Sequence, residues 1–338
     1  MAKKSKEIEE QQSIFDQVSL EKTPSQQLPS QPIPVKPSEV KRNLSEEMAL
    51  NDPTKIMENP PLPDEVKKDG THIFNEVINI SAEEMSESVN IELEPLGSLP
   101  VHHKMVLSYE GEFAEKLGSF DREVIDAIAT LAPHTQVISS TTIYRVITGK
   151  QEGSINLEHR KKVDQSMERC GNYVVSIDLT NQYLEANPSE LGNTKSMTYS
   201  GRLISFEKVE KKAKNGSNTY YKILSIPPIF RLAESIGKVS QFPLTLLDTP
   251  IKKTDQIIAV QSFLLRTIDQ MKKGELDSRT ISWEILYEIA EIDLTKRQYK
   301  QRVRENVSTI LTDWVTKGFI LSFDIQTAKK NNILRIEF

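Results

Sequence analysis

A single cysteine, Cys170, in 338 residues leaves nothing for an internal disulfide and removes every multi-cysteine zinc pattern, as suits a reducing compartment. Also absent is any apolar run near the roughly 20 residues that a membrane-spanning helix needs. The opening MAKKSKEIEEQQ lacks the apolar stretch of a signal peptide. The expected setting is therefore the cytoplasm, away from membranes.

Groups that carry chemistry are sparse. The histidines, His72, His102, His103, His134 and His159, form no His-x-His pair, and on a strand the adjacent His102 and His103 would point to opposite faces and could not share an ion. Tyr144, Tyr220 and Tyr221 would lack a metal partner as nucleophiles and suit core packing better. ITGKQ holds a Gly-Lys pair without the preceding glycine-rich loop of a phosphate cradle. No carboxylate cluster stands apart from the helix surfaces. We expect no enzyme: no catalytic residue, no metal and no cofactor.

Residues 1–70 have few aromatic groups, and SQQLPSQPIPVKPSE and ENPPLPDE supply Pro, Ser, Gln and charge instead. Such a segment buries too little apolar surface to offset its ordering entropy, so a disordered acidic tail is expected. The net charge of −5 divides into −9 over residues 1–100 and +4 over the rest. The total therefore does not exclude a polyanionic partner, which responds to the local field of the folded part. Residues 71–118, with IFNEVINI and VNIELEPL, read as an arm or short strands leading into the first domain.

Helical periodicity begins at Ser119, a plausible N-cap for SFDREVIDAIATL, with Phe120, Val124, Ile128 and Leu131 on one face. A short strand at Val137 and Ile138 follows. Ser140 or Thr141 then caps a second helix that closes at Gly149, and a third runs from about Asn156 to Cys170 with Gly171 as its stop. YVVSID reads as a strand, and RLISFEKVEKKAKNGSNTYYKILSI as a hairpin with a basic tip.

The same order recurs after residue 250. Thr254 caps a helix with Ile257, Val260, Leu264, Ile268 and Met271 on one stripe. Thr280 and Ile281 are extended, Ser282 caps WEILYEIAEI, and Thr295 opens a longer helix with Gln298 completing a capping box. After Gly318, FILSF and ILRIEF pair around a polar loop, DIQTAKKNN. The expectation is an α+β chain of two tandem winged-helix domains, helix-turn-helix plus β-hairpin wing, over residues 119–250 and 251–338.

On the helix of residues 296–317, Tyr299, Val303, Val307, Ile310, Leu311 and Trp314 form the core stripe. The far side shows Gln298, Gln301, Ser308 and Thr312, flanked by Arg297 and Arg304 on one edge and Arg302 on the other. From Lys296 to Arg304 there are five basic residues and no acidic one. Arg and Gln can read guanine and adenine edges in a major groove, while neighbouring cations hold phosphates. Glu305 fits that face least well. A Lys/Arg/Gln face alone is also what a solvated helix shows, and its place as the third helix before a wing singles it out. Lys329 and Lys330 sit at the tip of that wing. In the first domain the counterparts are Arg160, Lys161 and Lys162 on the third helix, and Lys208, Lys211, Lys212 and Lys214 on the hairpin.

FDREVIDAIATL, TTIYRVITG and the basic third helix, with RQYKQRVRENVSTILTDWVTKGFI and the closing NILRIEF, resemble plasmid and mobile-element replication initiator proteins with two winged-helix domains. The resemblance covers about residues 105–338. It implies binding to repeated double-stranded DNA sequences at an origin, with residues 296–317 in a major groove. The first domain would read an adjacent groove or form a homodimer, and a host helicase or helicase loader would be recruited. The long acidic, Pro-rich tail and the extended 172–250 segment depart from the family pattern. A transcriptional regulator, a partition factor, a rolling-circle nickase and a protein–protein adapter are the alternatives.

Overall fold

The computed structural model describes residues 60–71, 73, 74, 77, 80, 88–93, 103–110, 115–180, 183, 184, 187–213, 216–328 and 331–338, all within the unit Ala49–Phe338. Strand β1, Glu65–Asp69, pairs antiparallel with residues 239–243, Glu65 opposite Pro243 and Asp69 opposite Val239. This corrects the assignment of residues 1–70 to a disordered tail. EVKKD has no apolar alternation to betray it; Lys68 and Asp69 are buried because charged partners on the helix Ser119–Leu131, namely Glu123, Asp126 and Arg122, receive them. Residues 1–59 of the expected tail lie outside the described residues.

Strands β2 (Val89–Leu93) and β3 (His103–Tyr109) lead to helix α1, Ser119–Leu131. Its N-cap is Gly118 rather than Ser119, because the Asp121 carboxylate turns back to accept from the Gly118 amide at 2.7 Å. After β4 (Val137–Ser139), helix α2 spans Ser140–Thr148. Ser139 caps it, accepting from the Thr142 amide at 3.1 Å, while Ser140 instead donates to the Asp164 carboxylate. Asn156 caps α3, Leu157–Gly171. Gly171 belongs to this helix and does not stop it: a Cβ there would meet the Phe206 ring at 2.9 Å, so packing requires the glycine.

Strands β5 (Tyr173–Asp178) and β6 (Thr198–Arg202) join β2 and β3 in an antiparallel sheet ordered β2-β3-β5-β6. The hairpin of β7 (Ser205–Ala213) and β8 (Gly216–Ser225) follows, then α4 (Pro228–Ser235) and β9 (Val239–Pro243).

Helix α5, Asp255–Lys272, starts at Thr254, whose hydroxyl accepts from the Ile257 amide at 3.3 Å. Strand β10 (Thr280–Ser282) runs into α6 (Trp283–Ile289), capped by Ser282. Helix α7 spans Arg297–Thr316 with Lys296 as N-cap and no side-chain capping bond. The expected box between Thr295 and Gln298 does not form, because Thr295 donates through its amide and hydroxyl to Asp293 at 3.0 and 2.6 Å. Strands β11 (Ser322–Ala328) and β12 (Asn331–Glu337) close the chain. Most of DIQTAKKNN, expected as loop, is ladder, with Asp324 opposite Arg335 and Ala328 opposite Asn331.

The fold is mixed helix and sheet. One arrangement occurs twice: helix, short strand, two helices, hairpin, with sheets ordered β4-β8-β7 and β10-β12-β11. In both, the short strand pairs with the second arm of the hairpin. The first copy differs by the β5–β6 excursion between its third helix and its hairpin. No helix among the described residues is long and apolar enough to cross a membrane.

The two copies meet through buried charge. Glu123 on α1 receives Lys68 from β1, Ser262 at 2.6 Å and Arg266 at 3.1 Å from α5. Asp126 pairs with Arg266, lies 3.6 Å from Lys68 and accepts from the Asp69 amide at 3.1 Å. Lys68, Glu123 and Asp126 are each no more than 2% exposed. A buried ion stays ionised only when partners compensate its lost hydration. Burial alone would raise the Glu123 carboxyl, but Lys68 and Arg266 overcome it and hold the group at about 2.

The connector between the copies is fastened separately. The Trp314 indole donates to the Leu246 carbonyl at 2.9 Å, and Lys317 to the Thr245 and Asp248 carbonyls at 2.8 Å each. On the other side Gly149, at φ 73°, lies so close that a Cβ would sit 2.4 Å from the Asp248 nitrogen.

Candidate nucleic-acid interface

The amphipathic pattern of α7 sets its position. Val303, Val307, Ile310, Leu311 and Trp314 are buried, while Tyr299 is half-buried at the stripe's edge. Arg297, Gln298, Gln301, Arg302 and Glu305 are exposed, and Ser308 is half-exposed. The side chains of Arg297, Gln298 and Arg302 make no hydrogen bond or ion pair with a described residue. Gln301 donates to Glu305 one turn on, at 2.9 Å, so the carboxylate that fits least well is partly occupied by its neighbour.

Other members of the expected site are engaged. Arg304 donates to the Tyr287 hydroxyl at 2.6 Å and to the Asn332 amide oxygen at 3.0 Å, with its guanidinium 5.4 Å from the Trp283 ring centre. It ties α7 to α6 and the hairpin. Lys296 lies 3.4 Å from Asp293. Lys300, which the sequence reading left out, lies 5.9 Å from the Tyr287 ring centre; its place in the basic run 296–304 was the available signal.

On the first copy, Arg160 donates to Asn218 of β8 at 2.6 Å, and Lys161 is exposed. Lys162 turns inward. It packs over the Phe120 ring at 4.3 Å and pairs with Asp255 at the start of α5, and burial lowers its pKa. Lys208 binds Glu168 at 2.6 Å and Glu210 at 3.1 Å, and the Glu168 hydrogen bond raises its pKa. Lys211 and Lys212 are exposed on β7. Lys214, Lys329 and Lys330 lie outside the described residues.

Two clefts flank the connector. One lies between it and the α2–α3 turn and holds Lys150, His159 and Lys252; the other lies between it and α7 and holds Arg302, Asn306 and again Lys252. Sequence reasoning missed Lys150 and Lys252 because neither lies on an expected recognition helix or hairpin. Tyr144 is buried and stacks on His159, centroids 4.5 Å apart, the packing role expected of it.

No family model and no curated protein matches the chain. Two solved structures show partial similarity. A crystal structure of selenomethionine derivatives of domains 2 and 3 of RctB is 13% identical over 67% of this chain and 78% of that one, with a TM-score of 0.32. A second crystal structure of RctB domains 2–3 is 13% identical over 65% and 75%, with a TM-score of 0.34.

Proposed function

We propose that the chain is a non-enzymatic, sequence-specific double-stranded DNA-binding protein with two winged-helix modules, and that it acts as a replication initiator at origin repeats. The observation that carries the DNA-binding reading is the exposed face of α7, where Arg297, Gln298 and Arg302 have no described partner, on the third helix of a module whose sheet runs β10-β12-β11. Exposed side chains without a local partner are available to phosphates and base edges. Arg304 then positions the helix, and base reading falls to Arg297, Gln298 and Arg302.

Selection of bound duplexes from a random pool should return a defined sequence. The double variant Arg297→Ala, Arg302→Ala should lose about 1–3 kcal/mol for each contact that reads a base edge. Unchanged affinity for the selected sequence would remove α7 from the interface. The initiator role is tested apart from binding: the gene with its neighbouring repeats should maintain an otherwise inert circle in the host.

A further inference from the structure

We infer that the cleft between the α2–α3 turn and the connector is a phosphate site that holds duplex backbone between the two modules, an inference that rests on the DNA-binding reading above. Lys150 follows the α2 cap and Lys252 lies on the connector; both are exposed and neither makes a hydrogen bond or ion pair with a described residue. His159 stands between α2 and the cleft. Its pKa is lowered, first by burial and then, against Glu158, by the charges of Lys162, Lys150 and Lys252. Three lysines, Lys150, Lys252 and Lys253, line the cleft against one carboxylate, Asp248.

The floor adds an unusual cation. Lys253 donates to the Leu247 carbonyl at 2.5 Å, the Thr249 hydroxyl at 2.7 Å and the Gln261 amide oxygen at 2.7 Å. All three acceptors are neutral, and no described carboxylate lies within ion-pair distance. Burial lowers this ammonium to about 8. Asp248 and Asp313 act on this half-buried ammonium from beyond ion-pair distance, and a bound anion would offset more of its lost hydration. Its protons are already bound, so Lys253 attracts a phosphate through charge while Lys150 and Lys252 supply the hydrogen bonds. Asp248, also on the rim, opposes them.

Position supplies the second argument. Lys252 lines this cleft and also the one that holds Arg302 of α7. A backbone lying across the connector would pass from Lys150 over Lys252 to Arg302 of α7, with Glu291 and Asp293 lining the far side of the second cleft. The Gly-Lys pair at 149–150 is thus no nucleotide cradle of the glycine-rich kind, yet its lysine contacts phosphate.

The test measures binding of a labelled random-sequence duplex across a salt series. Lys150→Ala with Lys252→Ala should reduce the slope of log affinity against log salt by about 1 for each lysine. Asp248→Asn should move affinity the opposite way, upward. Because Lys150 and Lys252 are exposed and unbonded, the double variant should keep the wild-type urea midpoint. If the wild type binds, Arg297→Ala with Arg302→Ala weakens it, and the lysine variant keeps the wild-type slope, the cleft assignment is overturned and the DNA-binding reading survives. If the wild type binds no duplex even at low salt, both fall. If the lysine variant loses affinity for ATP but not for duplex, the cleft serves a free nucleotide and the assignment is again overturned.

Discussion

Replacing Glu123 by alanine should lower the free energy of unfolding by about 3–5 kcal/mol, read from urea denaturation. The carboxylate is fully enclosed and compensates two cations, Lys68 from β1 and Arg266 from α5. Without it, both must share Asp126, which already accepts from the Asp69 amide. Ser262 loses its acceptor as well. A loss below about 1 kcal/mol, the scale of an exposed ion pair, would show the cluster to be far less enclosed than it looks.

The same carboxylate predicts acid sensitivity. Its folded pKa of about 2 lies below the ordinary 4.5. For a depressed pKa, the stabilisation is complete above the unfolded value and is lost as pH falls from 4.5 towards 2. The gap corresponds to about 3 kcal/mol. Asp69 runs the other way, since burial raises its carboxyl despite Arg122. Wild type should lose urea resistance across that window, and Glu123→Ala should lose markedly less over the same range. Parallel pH profiles would refute the assignment.

Gly149→Ala is the second large effect. The φ of 73° is left-handed, which costs an ordinary residue about 1–2 kcal/mol. The new Cβ would also sit 2.4 Å from the Asp248 nitrogen and 2.7 Å from the Leu247 carbonyl carbon. Those are backbone atoms held by Trp314, Lys317 and Lys253, so they cannot yield cheaply. Overpacking adds about 1–3 kcal/mol. Gly318→Ala is the control: its φ of 71° is nearly the same, but a Cβ there meets nothing within 4 Å. It should cost only the backbone part, and equal losses in the two variants would mean that the connector does not resist.

Local chemistry made much of this fold legible. Thr254 and Ser282 cap where a short oxygen side chain precedes an apolar stripe, and the α5 stripe from Ile257 to Met271 is buried as its spacing requires. What escaped the sequence depends on distant partners. Strand β1 is charged, and nothing in EVKKD says that Glu123 and Asp126 await it; on α1 those acids look like a solvated face. The candidate site divides in the same way. The exposed edge of α7 follows from periodicity, but the fate of Arg304 needed Tyr287 and Asn332, and that of Lys162 needed Asp255, far along the chain.

The buried charge cluster also sets an order of events as the chain is made. Glu123 and Arg266 are 143 residues apart in sequence, so α1 leaves the ribosome long before its second cation exists. Until α5 follows, Lys68 alone faces both Glu123 and Asp126, and the enclosing surface is missing. Loop-closure entropy must be overcome before that distant contact can contribute, which slows folding. The first module is therefore a late folder despite being synthesised first, and a ribosome stalled before residue 266 should display it as protease-sensitive.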